Sequence, residues 1–262
     1  MTYTGSDDLT VALGDGVLSV TLNRPDTLNS LSLEMLELLG DAVLQAATDP
    51  EVKVVRLGGA GRGFCSGAGL SAEDQDAKFD SAAVLNAANR AVAALVNLPK
   101  PAVAVVHGVA AGVGVSLALA CDIVLASEKS SFLLAFTKIG LMPDGGASAL
   151  VAASIGRARA MRMALLAEKL PASEALAAGL VSSVHAAEDF DAEVDRVLAV
   201  LKSGPAVALR KTKQAVNDAT LTELNNTFAR ETAGQIQLLN AADFREGVAS
   251  FQQRRLPAYT DV

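Results

Sequence analysis

The sequence predicts an α/β domain. Runs of β-branched residues alternate with segments of helical periodicity over the first two thirds of the chain, and helical patterns alone follow. The chain has 262 residues, 51% of them hydrophobic, and a mean hydropathy of +0.34, which provides apolar surface for a large core. This length fits one large domain, or one domain with a smaller appendage.

Turn residues and caps place the individual elements. Gly14-Asp15-Gly16 joins two β-rich runs as a hairpin, because Asp-Gly supports the positive φ angles of a tight turn. Ser32 is a suitable N-cap for the first helix, and Pro99-Lys100-Pro101 ends the second. The predicted strands cover residues 9–13, 17–23, 52–57, 102–106, 122–126, 132–136 and 180–184. The predicted helices cover residues 32–48, 81–98, 112–120, a segment after the turn at 143–146, and most of the chain beyond 188, with a break at 204–205.

Charge and hydropathy argue against two classes of partner. The 22 Lys and Arg residues against 29 Asp and Glu give a net charge of -7, whereas nucleic-acid binding requires clustered basic residues. The longest apolar run, residues 109–121, is shorter than the roughly 18 residues that span a membrane. It is predicted as a core segment. We therefore expect no nucleic-acid partner and no membrane partner.

Other features of the composition indicate the compartment and the assembly. The N-terminus has neither a basic nor an apolar export region, so we expect a cytoplasmic protein. Cys65 and Cys121 lie in unrelated contexts, without a Cys-x-x-Cys pair or a suitably spaced histidine, and are predicted as buried thiols rather than metal ligands. The charged fraction, 19%, is low for a soluble domain, which indicates surface buried in an oligomer.

Three glycine-containing turns are candidates for a functional site: Gly67-Ala68-Gly69, Gly112-Val113-Gly114 and Pro143-Asp144-Gly145-Gly146. Glycine lets the backbone approach a ligand closely, and the first N–H groups of a helix can hold developing negative charge. The same turns would also serve as tight connections. A nucleotide fingerprint is excluded, because position 117 is Leu and no glycine run continues into Gly-Lys-Ser/Thr.

A serine hydrolase is an alternative on residue order. The segment 114–118, Gly-Val-Ser-Leu-Ala, is one residue short of a Gly-x-Ser-x-Gly elbow, and Asp144 and His185 follow Ser116 in the order of a Ser-Asp-His triad. Such an elbow requires serine at a strained strand-to-helix turn. The periodicity instead predicts Ser116 inside a helix, which weakens this interpretation.

Four motifs occur in order along the chain. They are Leu22-Asn23-Arg24-Pro25 with Leu28-Asn29-Ser30-Leu31, residues 61–68, residues 107–123 and residues 140–146. Together they resemble the crotonase superfamily, the enoyl-CoA hydratase/isomerase family, from about Thr10 to the C-terminus. The resemblance implies a crotonase-like spiral of β-β-α units in residues 1–200, with an acyl-CoA site. It implies a C-terminal helical region, residues 201–262, that joins copies into a trimer or hexamer.

The resemblance also implies the substrate and the catalytic residues. The substrate is an acyl-CoA, so coenzyme A enters with the substrate and no cofactor is bound permanently. The N–H groups of Ala68 and Val113 occupy the positions of an oxyanion hole, where one donor can contribute about 3 kcal/mol. Ser116 and Phe136 stand where hydratases of the family carry two glutamates. Asp144 stands where several isomerases carry a catalytic aspartate, and we expect burial beside Phe136 to raise its pKa.

The coenzyme A contacts implied by the resemblance are Arg24, Arg62, Ala68, Leu70 and Tyr259, with Arg254 and Arg255 as further contributors. The expected reaction shifts a double bond of an enoyl-CoA through an enolate, with Asp144 as the proton shuttle. The alternatives are a 2-enoyl-CoA hydratase in which Asp144 and Ser116 position water, a hydrolytic or ring-modifying reaction on another acyl-CoA, a non-catalytic acyl-CoA-binding subunit, and the serine hydrolase.

Overall fold

The computed structural model describes residues 1–69 and 81–261, and it confirms the α/β class. The strands are β1 (Leu9–Gly14), β2 (Val17–Leu22), β3 (Val54–Gly59), β4 (Ala102–Val106), β5 (Val109–Ala111), β6 (Ile123–Ser127), β7 (Ser131–Leu133), β8 (Leu170–Pro171) and β9 (Ser183–His185). The helices are α1 (Leu33–Thr48), α2 (Ser81–Asn97), α3 (Val113–Leu119), α4 (Ala147–Leu166), α5 (Ala172–Ala178), α6 (Phe190–Ser203), α7 (Ala206–Thr220), α8 (Leu224–Leu239) and α9 (Ala242–Gln252).

The main sheet has the order β1-β2-β3-β4-β6-β9. β1 and β2 form the predicted antiparallel hairpin, and each later neighbour pairs in parallel. β5, β7 and β8 form a separate small sheet. Every residue of β4 is buried, as expected for a parallel strand covered on both faces. The larger core cluster lies between the sheet and α1 to α4, and a smaller one packs α6 against the opposite face.

Several predicted boundaries are wrong. The strand predicted at 52–57 is shifted to Val54–Gly59, because its glycines continue the parallel pairing with β2. The strand predicted at 132–136 ends at Leu133, where its partner β5 ends and Gly112 turns away. Phe136 therefore begins a 3-10 helix, Phe136–Ile139. The last strand begins at residue 183 rather than 180. β5 and β8 were not predicted.

The C-terminal helices pack on the α/β part of the chain. In α7, the buried Lys213 ammonium lies 3.1 Å from the Asp122 carboxylate and donates to the Leu95 carbonyl at 2.9 Å. α8 packs against α2 and α4, and Asn89 donates to Thr232 across the first of these contacts. No helix in the described ranges has the length and apolar character needed to cross a bilayer.

Candidate active site

Two glycines bring the first two candidate loops into contact. Cys65 and Ala110 form a parallel bridge in which Ala111 N donates to Cys65 O at 2.8 Å. Two residues further on, Gly67 and Gly112 have φ values of +92° and +54°. A Cβ on Gly67 would lie 3.0 Å from the Ala111 carbonyl oxygen. Only glycine fits this close approach without strain. The two loops therefore remain in backbone contact as far as Gly67 and Gly112.

The next residues in the two loops, Ala68 and Val113, each present a free backbone donor. Around Ala68, Leu31 N donates to Gly67 O and Gly69 N donates to Leu31 O, so the Ala68 N–H points away from Leu31. Val113 is the first residue of α3, where an N–H has no intrahelical acceptor. Among the described residues, neither N–H has a hydrogen-bond partner. Unpartnered backbone N–H groups on adjoining loops are the type of donor that an oxyanion hole uses.

Gly114 allows α3 to begin at this point. A Cβ on Gly114 would lie 2.7 Å from Cys65 Cβ and 2.8 Å from Cys65 O. The helix therefore packs directly on the first loop, and this contact sets the position of the Val113 N–H relative to Ala68. Cys65 itself is buried, as is Cys121, which confirms the predicted burial of both thiols.

Asp144 lies beside the second loop in the turn before α4. A Cβ on Gly145 would lie 3.6 Å from Val113 Cγ1 and 3.3 Å from Ser116 Oγ, so the turn packs against the start of α3. The Asp144 side chain is buried. Its Oδ2 accepts a hydrogen bond from Gln235 Nε2 at 2.7 Å. Its Oδ1 is buried and has no hydrogen-bond partner among the described residues.

Burial raises the pKa of Asp144 to about 7. The main cause is desolvation, which penalises the charged carboxylate. The hydrogen bond from Gln235 lowers the pKa, and the negative charge of Glu231 raises it. The direction agrees with the sequence-based expectation. A carboxyl group with this pKa is well suited to gain and lose a proton near neutral pH.

Two residues of α8 complete the surroundings of Asp144, and sequence reasoning missed both. Glu231 Oε2 accepts from Gly146 N at 2.6 Å, and Oε1 accepts from Ser148 N at 2.9 Å, so the carboxylate caps the start of α4. Burial raises the pKa of Glu231. Glu231 and Gln235 are four residues apart and both buried. Polar residues at that spacing on the buried stripe of a helix were the available signal.

The structure does not assemble a hydrolase triad from the described residues. Ser116 lies within α3 and its Oγ donates to the Asp144 carbonyl oxygen at 3.2 Å. His185 Nε2 instead lies 2.7 Å from Ser183 Oγ. His107 Nε2 lies 2.9 Å from the Gly61 carbonyl oxygen. Each histidine is thus engaged away from Ser116, and the serine hydrolase alternative loses its support.

The residues expected to contact coenzyme A fall into two groups. Arg24 and Arg62 lie on touching loops, since a Cβ on Gly61 would approach Pro25 Cβ to 2.7 Å. Arg24 Nη1 also donates to the Ser30 carbonyl at 3.1 Å. Tyr259 lies elsewhere, where its hydroxyl donates to the Lys138 carbonyl at 2.6 Å.

Leu70, Arg254 and Arg255 are the remaining candidates for coenzyme A contacts. Leu70 lies outside the described residues. Arg254 is exposed, and Arg255 is exposed and paired with Glu246. Within the described ranges, no group of three His, Cys, Asp or Glu side chains could hold a metal ion.

The chain is similar to known acyl-thioester enzymes along nearly its whole length. A model of the enoyl-CoA hydratase/isomerase family matches residues 13–262. The 1,2-epoxyphenylacetyl-CoA isomerase of Escherichia coli K12 is 38% identical over 249 residues, which are 94% of this chain and 95% of that protein. The trans-2-decenoyl-acyl-carrier-protein isomerase of Streptococcus mutans is 32% identical over 250 residues, which are 94% of this chain and 95% of that protein.

A solved structure agrees with these relatives. The crystal structure of an enoyl-CoA hydratase from Mycobacterium avium subsp. paratuberculosis K-10 is 62% identical, covers 97% of this chain and 99% of its own, and gives a TM-score of 0.91. The chain therefore belongs to the enoyl-CoA hydratase/isomerase family. The resemblance to the crotonase superfamily is confirmed, and the protein is an enzyme of this type.

Proposed function

We propose that this enzyme shifts the double bond of an enoyl-CoA from the 3,4 to the 2,3 position, with Asp144 as the single proton carrier. The observation that supports this proposal most strongly is the state of the Asp144 carboxyl group. It is buried, its pKa is raised to about 7, and its Oδ1 has no hydrogen-bond partner among the described residues. A proton carrier needs an unengaged oxygen and a pKa near the working pH.

The reaction follows from three groups. Asp144 Oδ1 takes a proton from C2 of a 3-enoyl-CoA, and the electrons of that C–H bond delocalise into the thioester oxygen as a dienolate. The N–H groups of Ala68 and Val113 stabilise this oxyanion. The protonated carboxyl then gives its proton to C4, and the double bond forms between C2 and C3. Atoms and charge balance without water entering the product.

The surroundings of Asp144 favour isomerisation over hydration. Efficient addition of water calls for a second acid or base, and a positioned group of that kind contributes about 10²- to 10⁴-fold in rate. Ser116 donates its hydroxyl hydrogen to the Asp144 backbone, and Phe136 has no ionisable group. Two relatives named as isomerases, each at least 32% identical, are consistent with this choice.

Hydration of a 2-enoyl-CoA is the second candidate, because the 62% identical relative is named as an enoyl-CoA hydratase. In that reaction Asp144 and Ser116 would position the water. A ring-modifying isomerisation through the same enolate chemistry is a further candidate, because one relative is named as a 1,2-epoxyphenylacetyl-CoA isomerase.

The rest of the proposal concerns binding and assembly. Arg24, Arg62, Ala68, Leu70 and Tyr259 contact the coenzyme A part of the substrate, and no permanent cofactor is needed. Residues 201–262 join copies into a trimer or hexamer. Exposed apolar side chains on α4 and α7 support an oligomer; they are Met161, Leu165, Leu166, Val207 and Val216. The protein acts in the cytoplasm.

The test is a product analysis of the wild type and its Asp144→Asn variant. Each is incubated with 3-enoyl-CoA and, separately, with 2-enoyl-CoA, and mass-resolved chromatography follows double-bond position and water addition. We expect the wild type to isomerise 3-enoyl-CoA and the variant to lose about 10²- to 10⁴-fold. If both proteins instead hydrate 2-enoyl-CoA equally and leave 3-enoyl-CoA unchanged, the proposal is wrong. Coenzyme A binding without turnover of either substrate would indicate a non-catalytic subunit.

A further inference from the structure

The Gln235 side chain contacts the Asp144 turn through every polar atom of its amide. Oε1 accepts from Met142 N at 3.1 Å, and Nε2 donates to Met142 O at 2.9 Å and to Asp144 Oδ2 at 2.7 Å. Both amide hydrogens and the amide oxygen are therefore engaged with the turn. Gln235 is only 1% exposed, so water does not compete for these hydrogen bonds.

Other residues of α8 hold the same turn in place. Gly234 lies against the Met142 sulfur, and a Cβ at that position would force the Met142 side chain to move. One turn earlier, Glu231 accepts the hydrogen bond from Gly146 N. α8 thus contacts the backbone at Met142 and at Gly146, on either side of Asp144. From the same helix, the Gln235 amide donates to the Asp144 carboxyl group itself.

The two oxygens of the Asp144 carboxyl are therefore unequal. Oδ2 is engaged by Gln235, whereas Oδ1 has no hydrogen-bond partner in the described part of the chain. We propose that Gln235 is a positioning residue that holds Asp144 through Oδ2, so that Oδ1 is the oxygen that takes and returns the substrate proton. This inference rests on the proposed function, because it assigns a partner to the proton carrier named there.

The groups around Asp144 determine the direction in which its pKa shifts when Gln235 is replaced. Glu231 on α8 is the ionisable group that acts on it, and its negative charge favours the protonated form of Asp144. On α3, the Ser116 hydroxyl donates to the Asp144 carbonyl oxygen rather than to the carboxyl group. Gln235 supplies the hydrogen bond that favours the ionised form. Removing that donor while Glu231 stays in place should make Asp144 ionise at higher pH.

The test is the pH dependence of kcat/KM for 3-enoyl-CoA isomerisation in Gln235→Met, whose side chain has a similar length and no donor. Loss of a hydrogen bond to the carboxylate raises the pKa of Asp144 by about one unit or more. The acid limb of the kcat/KM profile should therefore move to higher pH by the same amount. The rate at pH 7 should then fall about fivefold and recover above about pH 9. The matched control is Gln237→Met, the same change at an exposed position of α8, and its profile should overlie that of the wild type.

A merely structural role gives a different result. If Gln235→Met lowers the maximum of kcat/KM but leaves the acid limb of its pH profile where it is in the wild type, the inference is wrong. If that variant does not fold, as judged by circular dichroism, Gln235→Leu decides, because it also removes the donor and adds no ionisable group. Its acid limb should likewise move to high pH, and an unmoved limb overturns the inference.

The failure of the inference is distinguishable from failure of the proposed function. If Asp144→Asn isomerises 3-enoyl-CoA as well as the wild type, the proposed function fails. If Asp144→Asn is inactive while the Gln235 variants keep the wild-type acid limb, Asp144 remains the proton carrier and only the role of Gln235 is wrong.

Discussion

Replacing Asp144 by asparagine is expected to change how stability depends on pH, independently of any assay of activity. The Asp144 side chain is buried, and burial raises its pKa from an ordinary 3.8 to about 7. Between these two values the folded protein holds a proton that the unfolded chain has released. Stability therefore falls as the pH rises from about 4 to about 7, because the folded state binds more protons than the unfolded state.

The size of the effect follows from the pKa difference. A pKa difference of about three units corresponds to a total loss of about 4 kcal/mol of stability as the pH rises from below about 4 to above about 7. About 2 to 3 kcal/mol of this loss falls between pH 5 and pH 8. The amide of the Asp144→Asn variant does not titrate, and the Glu231 carboxylate is present in both proteins. The difference between the wild type and the variant therefore isolates one group, and any packing cost of the amide is a constant offset.

Urea unfolding at pH 5, 6, 7 and 8 measures this difference, with equal protein concentrations because an oligomer is stabilised by its own association. We expect the free energy of unfolding of Asp144→Asn, relative to that of the wild type, to increase by about 2 to 3 kcal/mol from pH 5 to pH 8. A difference that stays constant within about 0.5 kcal/mol would show that Asp144 titrates as a solvated carboxyl group and that burial does not raise its pKa.

The other predictions concern the two loops. Val113→Pro removes the N–H at a helix position that tolerates proline, so kcat/KM should fall about 10²- to 10³-fold, whereas Val113→Ala keeps the donor and most of the activity. Gly114→Ala should lower the urea-derived stability by about 1 to 3 kcal/mol through its clash with Cys65, whereas Gly14→Ala, which faces open space, should change it by less than about 0.5 kcal/mol. Ser116→Ala should reduce isomerisation by less than the roughly 100-fold typical of a general acid or base, and a fluorophosphonate should not label Ser116.

Local patterns predicted the elements that local chemistry determines. Ser32 caps α1 with its Oγ accepting from Met35 N at 3.3 Å, and the Asp-Gly hairpin pairs as expected. Each of the first two glycine loops was predicted as a turn whose backbone can approach a ligand, and Gly67 and Gly112 do have positive φ. In each case the responsible residues lie within a few positions of the structure that they determine.

Long-range pairing accounts for what the sequence left unpredicted. β5 lies inside an apolar run, and its pairing with β7 depends on a strand 22 positions away in the register. The hydrogen bond from Gln235 to Asp144 joins residues 91 positions apart. Hydropathy and periodicity describe which face of an element is buried, but they do not specify which distant residue lies against that face.

In the proposed reaction one buried carboxyl group, that of Asp144, carries the proton from C2 to C4. The most direct test gives the wild type a 3-enoyl-CoA with deuterium at both C2 positions and locates the label in the 2-enoyl-CoA product by mass spectrometry and NMR. If Asp144 is the single carrier, part of the product carries one deuterium at C2 and one at C4, and Asp144→Asn forms almost none of it. Product with deuterium at C2 alone, or equal turnover by Asp144→Asn, would show that Asp144 is not the single proton carrier.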